Sequence, residues 1–390
     1  MARRYTWERL AGLTLARQFP RVRGRGVAAV VRAAERIGPI QSQAARAPFL
    51  GLAARLPGVT LETVSAAYEQ HLLVRGSSIR GTVHTSTVPH HRLLEAVARQ
   101  RLHPHWDRML GAGRRHEVDR LWAMVEDLAR SGWLTPEELR AGLAERVARD
   151  GDPATADLLR TGQYARHFGY SHAALVRRPL RGGWHGQGLA GYRLATAVLG
   201  PGEAQRRAEV RADPAAALAG LARVHIAAFG PSSREDLAWW AGLTLGAAGE
   251  ALGRLREECS VRPGPDGRDY WDLLEGRPAA RSDVGTRLLP EFDALVLGQE
   301  PSARARFAAP DDIRRLWVGG NGLMRPPVLH AGRLIGHWRL EGPVRHRRLQ
   351  VTVVGSGPVP AESDLGPAVG AVQAALGLEV SDVEVSRSPG

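Results

Sequence analysis

The sequence predicts an α+β protein in which helical modules, each closed by a hairpin, precede a run of short strands. Three observations carry this. Two segments share the order helix, turn, helix, helix, hairpin; the N-terminus shows a less regular third copy; and from about residue 287 the apolar spacing changes to period two with tight turns. The repeated order is that of a winged helix. The expected architecture is three tandem winged-helix domains, over residues 1–118, 119–208 and 209–284, followed by a small C-terminal β-barrel or curled sheet over 285–390.

In the first module Thr6 to Phe19 reads as a helix, and Val27, Val30, Val31, Ala34 and Ile37 form the apolar face of a second. Thr60 to Tyr68 is a third helix. His71 to Val74, a turn at Gly76-Ser77-Ser78 and Ile79 to Thr85 complete the module as its wing.

The second module opens with Leu121 to Arg130 and a turn at Ser131-Gly132. Thr135-Pro136-Glu137-Glu138-Leu139 then sets a hydroxyl three residues before an acid, the capping-box spacing, with proline at the first helical position. A helix near Thr155 to His167 and a hairpin over Leu175 to Tyr192, turning at Gly182-Gly183, follow. The third module repeats this as Leu218 to Phe229, Gly230-Pro231, a capping box in Ser233-Arg234-Glu235-Asp236-Leu237, a helix from Leu245 to Glu257, and a hairpin from Ser260 to Leu273 turning at Pro265-Asp266-Gly267.

Beyond it Leu288, Leu289, Leu295 to Leu297, Val328-Leu329, Arg333 to Leu340 and Leu349 to Val354 read as strands. Turns are expected at Ala331-Gly332 and Glu341-Gly342-Pro343, and short helices near Pro310 to Trp317 and Pro367 to Leu376. Gly355 to Asp364 reads as a loop and Ser386 to Gly390 as a frayed tail.

With 390 residues, 44% of them hydrophobic, the chain is long enough for several domains with their own cores. Its net charge of +13 favours a polyanionic partner such as DNA or RNA. All 53 basic side chains are arginine. A chain without lysine cannot form a side-chain Schiff base, so lysine-dependent strand elimination, P-loop and pyridoxal chemistry are excluded. The single cysteine, Cys259, cannot form an intramolecular disulfide or a cysteine-based zinc site. No signal peptide and no apolar run of membrane-spanning length is visible, so a soluble cytoplasmic protein is expected, working as a monomer without a cofactor.

The histidines His84, His90, His91, His103 and His105 lack the spacing of a metal site and read as polar surface. Trp239, Trp240 and Trp271 read as core. Gln41-Ser42-Gln43, after Ile37-Gly38-Pro39-Ile40, places two neutral amides two residues apart at the end of an apolar helix. Such amides can hold a water and a sugar or base edge without adding charge, although Gln-x-Gln is also an ordinary solvated stretch.

The segments Gly38 to Gln43, Arg80-Gly81-Thr82-Val83-His84, Leu289 to Gly298, and Trp317 to Gly322 through Pro327-Val328-Leu329 to Gly332 to Trp338 occur in a recognisable order. In them the chain resembles the AlkZ/YcaQ winged-helix DNA glycosylases over essentially its whole length. The resemblance implies excision of N7-alkylated guanine from double-stranded DNA, with interstrand crosslinks as substrates of some members. It places Gln41 and Gln43 in the AlkZ-like Gln-x-Gln branch as catalytic residues, where the YcaQ-like branch ends the motif in Asp. Self-resistance enzymes of antibiotic producers in this branch act on bulky adducts such as those of azinomycin, hedamycin or trioxacarcin. Ser42 departs from the aliphatic residue usual between the two glutamines.

Within that reading Gln43 positions the attacking water and Gln41 holds that water or the sugar-phosphate, roles that sequence alone leaves exchangeable. Arg80 and His84 are further candidates, for a phosphate and a hydrogen bond beside the lesion, each with an ordinary structural alternative. Asp293 is a candidate carboxylate for water activation, or a structural acid. Arg177, Arg178, Arg181, Arg262, Arg268, Arg345, Arg347 and Arg348 are candidate DNA contacts, of which about half are expected to touch phosphate. A tandem winged-helix regulator without chemistry is the main competing reading, and an RNA-binding scaffold a weaker one for want of an aromatic platform.

Overall fold

The computed structural model describes residues 4–110, 115–162, 167–319, 322–343, 346–355 and 357–388. It is a mixed α and β chain that divides into two compact units, one of residues 1–70 with 222–390 and one of residues 71–221. No helix among the described residues is long and apolar enough to cross a membrane.

The first unit begins with the helix Trp7–Gln18, whose N-terminus is capped by the Thr6 hydroxyl accepting from Arg9 N at 3.1 Å. The next helix, Gly26–Ile37, buries Ala29, Val30, Ala33, Ala34 and Ile37, while Val27 and Val31 stay half-buried. Its contact face is therefore rotated from the expected one towards the alanines, which allow closer packing. Leu61–Glu69 follows, capped by Thr60 and Thr63 acting reciprocally.

The later part of this unit holds a short strand at Ser232–Ser233, helices Arg234–Ala241 and Leu245–Gly253, and a hairpin of Cys259–Pro263 with Asp269–Leu273. The strands form a three-stranded sheet with Asp269–Leu273 in the middle. The Ser233 capping box is completed by Asp236, a fully buried acid that also accepts from Glu300 N at 2.9 Å and pairs with Arg306 at 3.4 Å. Trp240 is core, whereas Trp239 and Trp271 are half-buried under Arg304 and Arg256.

The C-terminal strands form an open five-stranded sheet, not the expected barrel. Its order is Val380–Arg387, Arg347–Val353, Arg333–Glu341, Pro327–His330 and Arg287–Leu288. The first two are parallel, joined through the helix Glu362–Leu376, and the others antiparallel. At the far edge stands a strand of two residues, too short for a long partner to close upon.

Three local expectations change with it. Leu295 to Leu297 lie in a helical turn, Ala294–Leu297, because Asp293 caps it by accepting from Leu295 N at 2.8 Å; a short, wholly buried apolar run has no period to distinguish helix from strand. The expected loop before Asp364 is already helical from Glu362, and the expected frayed tail is strand to Arg387. The core here joins Leu15 of the first helix and Phe19 at its C-terminal cap to Leu289, Leu295, Phe307, Leu316 and Leu334.

In the unit of residues 71–221 the hairpin Leu73–Ser77 with Val83–Thr87 and the hairpin Leu175–Pro179 with Ala190–Leu194 share one sheet, joined where Gly76 faces Val176. A Cβ on Gly76 would stand 2.8 Å from both His91 Nε2 and the Leu175 carbonyl, so only glycine admits this approach. A 23-residue helix, Val88–Leu110, was not anticipated; its prolines and histidines mask the helical period. The helices Arg115–Leu128, Pro136–Arg149 and Pro153–Thr161 pack around Trp106, Leu121, Trp122, Leu139 and Phe168. Thr135 and Glu138 form the predicted capping box.

Candidate active site

The Gly26–Ile37 helix stops at Gly38, whose φ of +79° is left-handed and whose Cβ, if present, would stand 3.0 Å from Ala228 Cβ. The chain leaves this turn through Pro39 into the extended pair Ile40–Gln41. Gln41 and Gln43, two residues apart, share one side of the chain. Gln41 Nε2 donates to Gln43 Oε1 at 2.6 Å. Gln41 is 7% exposed and Gln43 open to solvent, so the pair runs from the interior to the surface. Ser42 lies buried on the other side, its hydroxyl donating to the Ile40 carbonyl at 2.8 Å.

Two acids of the segment Leu289 to Asp293 grip the helix after the motif, Ala47–Ala53, and its flanks. Arg46 pairs with Glu291, and Arg55 with Asp293 through two hydrogen bonds of 2.7 and 3.0 Å. Arg55 also donates to the Gly51 carbonyl at 3.0 Å and to Gln18 Oε1 at 3.1 Å. Gln18 Nε2 in turn donates to the carbonyls of Ile37 and Ala228 at 3.0 and 2.9 Å. The first helix, the end of the second and the C-terminal segment thus converge behind Gly38 and the glutamines. Trp338 Nε1 fixes that segment from the sheet by donating to the Leu289 carbonyl at 2.8 Å.

Asp293 lies inside this support. Its side chain is 2% exposed and both its oxygens accept from Arg55. That commits the carboxylate to a buried ion pair and a helix cap. The sequence carries no direct signal for the roles of Gln18, Arg46, Arg55 and Glu291; the two arginines stand nine positions apart, but the acids they meet only two.

Arg80 and His84 belong to the unit of residues 71–221. Arg80 sits in a left-handed turn, φ 54°, between the two strands of the first hairpin, and burial lowers its pKa to about 10. His84 is fully buried; burial, and then the charge of Arg80, push its pKa down to about 3, so the ring is neutral near pH 7. Its Nδ1 lies 3.1 Å from the Thr82 carbonyl and 2.9 Å from Ser78 Oγ. A carbonyl only accepts, which puts the proton on Nδ1 and the lone pair on Nε2.

The arginines expected on DNA are held in different ways. Arg177 stands over the Tyr192 ring at 5.8 Å, Arg178 over Trp133 at 5.6 Å and Trp184 at 6.0 Å, and Arg181 is exposed. Arg262 lies 5.9 Å from the Tyr5 ring. Arg268 is paired with Glu300 at 2.6 Å and with Asp266 at 3.7 Å. Arg347 donates to the Gly342 carbonyl, and Arg348 meets Asp382 at 3.3 Å. Arg345 lies outside the described residues.

A family model described as DNA glycosylase AlkZ-like matches residues 34–380, which include both glutamines and the acids behind them. The chain belongs to the AlkZ-like DNA glycosylase family. In fold, this glycosylase is similar to the Streptomyces sahachiroi DNA glycosylase AlkZ, with a TM-score of 0.76 and 21% identity over 99% of this chain and 100% of that one. No curated protein matches the chain by sequence. The family makes DNA the substrate and cleavage of a base from its sugar the reaction.

Proposed function

We propose that this glycosylase hydrolyses the N-glycosidic bond of N7-alkylated guanine in duplex DNA through Gln41 and Gln43, leaving an abasic site. The hydrogen-bonded amide pair, partly buried and partly open, carries the reading. Alkylation at N7 gives the base a positive charge. When the bond to C1′ breaks, its electron pair moves to N9 and the base departs neutral, so no strong acid is required. The sugar becomes oxocarbenium-like and takes the oxygen of a water, which releases a proton to solvent.

An amide oxygen has two lone pairs, so Gln43 Oε1 can accept from Gln41 and from that water together. Gln41 then fixes the orientation of Gln43, and Gln43 directs the water at C1′. Positioning of this kind contributes roughly 10²–10⁴-fold. Neutral amides leave the cationic lesion unneutralised until it departs. The absence of lysine supports a monofunctional enzyme without strand cleavage by elimination.

The helix and hairpin orders of the three modules support their reading as winged helices, acting in a monomer. Arg177, Arg178, Arg181 and Arg262 contact phosphate from their hairpins, while Arg268 and Arg348 also meet acids. Arg80 contacts phosphate, and His84 offers a neutral hydrogen-bonding group. The preferred adduct is a bulky, intercalated N7-guanine lesion of a natural product, the context being self-resistance to a genotoxin. The lesion stays in the stack, because flipping a bulky intercalated nucleotide adds to the usual cost of extrusion.

Incubating the protein with duplexes carrying one N7-methylguanine or one bulky N7-guanine adduct, and identifying the released base by mass spectrometry, tests this. Release of intact alkylguanine, faster from the bulky adduct, is expected. Release of neither base, with binding retained, would overturn the reaction.

A further inference from the structure

We infer that a basic cleft of about 610 Å³ in the unit of residues 1–70 and 222–390 holds the DNA backbone to one side of the lesion, its arginines Arg4, Arg9, Arg262, Arg277 and Arg281 contacting consecutive phosphates. The inference rests on duplex DNA as the substrate. Among the described residues five arginines line the cleft and Glu8 is the one acid. Such an excess of fixed cations matches a row of phosphodiesters, each strand carrying about one negative charge per 3.4 Å of duplex axis.

Three segments distant in sequence build the walls, and they are bonded to one another. Tyr5 N donates to the Pro263 carbonyl at 2.9 Å, and Arg4 Nε to the Gly264 carbonyl at 2.7 Å, tying the N-terminal segment to the Cys259–Pro263 hairpin. Arg281 N donates to the Gly12 carbonyl at 2.9 Å, tying the segment after the hairpin to the first helix. Arg277 is aimed by Asp272 at 2.5 Å and by the Tyr5 hydroxyl at 2.8 Å, and Arg281 by the Phe19 carbonyl at 2.9 Å. Guanidinium groups fixed before binding lose little freedom when a phosphate arrives. The first turn of the Trp7–Gln18 helix, with its positive end, also lines the cleft.

The same helix sets the distance to the chemistry. Arg9 lies in its first turn and Gln18 at its end, bonded to the Ile37 carbonyl ahead of the motif. Nine residues of helix span about 14 Å. The cleft therefore meets phosphates away from the reacting nucleotide, not its own.

The test is equilibrium binding of the full chain to a short undamaged duplex across a salt series, with Arg9→Ala/Arg262→Ala and Arg9→Lys/Arg262→Lys beside the parent. The alanine pair is expected to bind at least tenfold more weakly and to lower the slope of log affinity against log salt by about two, the contribution of two phosphates. The lysine pair is expected to recover the slope. Unchanged slope and affinity in a folded alanine pair would overturn the assignment. If that pair binds duplex as the parent does but no longer binds inorganic pyrophosphate, the cleft serves a free polyphosphate and the DNA assignment fails. Undamaged DNA requires no excision, so failure of the parent to release a base would refute the proposed reaction and leave this readout intact.

Discussion

Arg55 and Asp293, 238 positions apart, meet in a two-pronged ion pair whose side chains are 1% and 2% exposed, directly behind the segment carrying Gln41 and Gln43. The pair joins the helix after the motif to the C-terminal Leu289 to Asp293 segment, and Gln18 extends it to the first helix. A motif in the first part of the chain is therefore held by residues 238 to 245 positions beyond the arginines that follow it. On the proposed function the glutamines do the chemistry and the carboxylate holds them in place.

Asp293→Ala should accordingly lower stability by about 3–5 kcal/mol, because it leaves the Arg55 guanidinium buried without its counter-charge. The urea midpoint of unfolding measures this. Excision should decline with the folded fraction. A variant of parental stability and no activity would instead make Asp293 the group that activates water.

Ser42→Ala should cost about 1 kcal/mol, the net worth of the hydroxyl bond to the Ile40 carbonyl, with excision near the parental rate. Chemical unfolding and a single-turnover assay on the same sample check it. Loss of excision at parental stability would give Ser42 a part in the reaction.

The glutamines have no proton to exchange near neutrality, and His84 is neutral there because its folded pKa is about 3. The single-turnover rate should therefore be level between about pH 5.5 and 8. A midpoint near 6.5 in that profile would contradict the site as described.

Stability, by contrast, should fall on acidification. His84 takes a proton in the unfolded chain near pH 6.5 but in the folded one only near 3, so the unfolded state binds more protons through that window. Stability contributed by the neutral ring is complete above pH 6.5 and is lost progressively towards pH 3. His225, also pushed down to about 3 by burial, acts with the same sign. His84→Phe should flatten the slope of stability against pH between 6.5 and 5; an unchanged slope would place the ring's folded pKa near its ordinary value.

Much of this architecture was legible in the sequence because its signals are local. Thr135 and Ser233 cap the helices they were expected to cap, and Gly267 turns the hairpin between Cys259–Pro263 and Asp269–Leu273. Sheet closure is not local. Whether Val380–Arg387 lies parallel to Arg347–Val353, and how short Arg287–Leu288 is, depend on pairings no period reports, and the expected barrel is an open sheet.

At the candidate site the sequence placed two neutral amides two residues apart after an apolar helix; the extended backbone at Ile40–Gln41 and the 2.6 Å hydrogen bond between the amides were not read from it. Asp293 stood out as an acid, but its commitment to Arg55 could not be read, since the two meet only through the fold. For the same reason the cleft of Arg4, Arg9, Arg262, Arg277 and Arg281 was invisible as a group: its members lie in three separate segments.

The most direct measurement of the central claim is a single-turnover assay on a duplex with one defined N7-alkylguanine, followed by alkali to cut at abasic sites, for the parent, Gln41→Ala and Gln43→Ala. The account predicts alkali-dependent cleavage by the parent, a rate lower by roughly 10²–10⁴-fold in Gln43→Ala, a smaller loss in Gln41→Ala, and DNA affinity retained in both. Parental excision rates in both folded variants would contradict it.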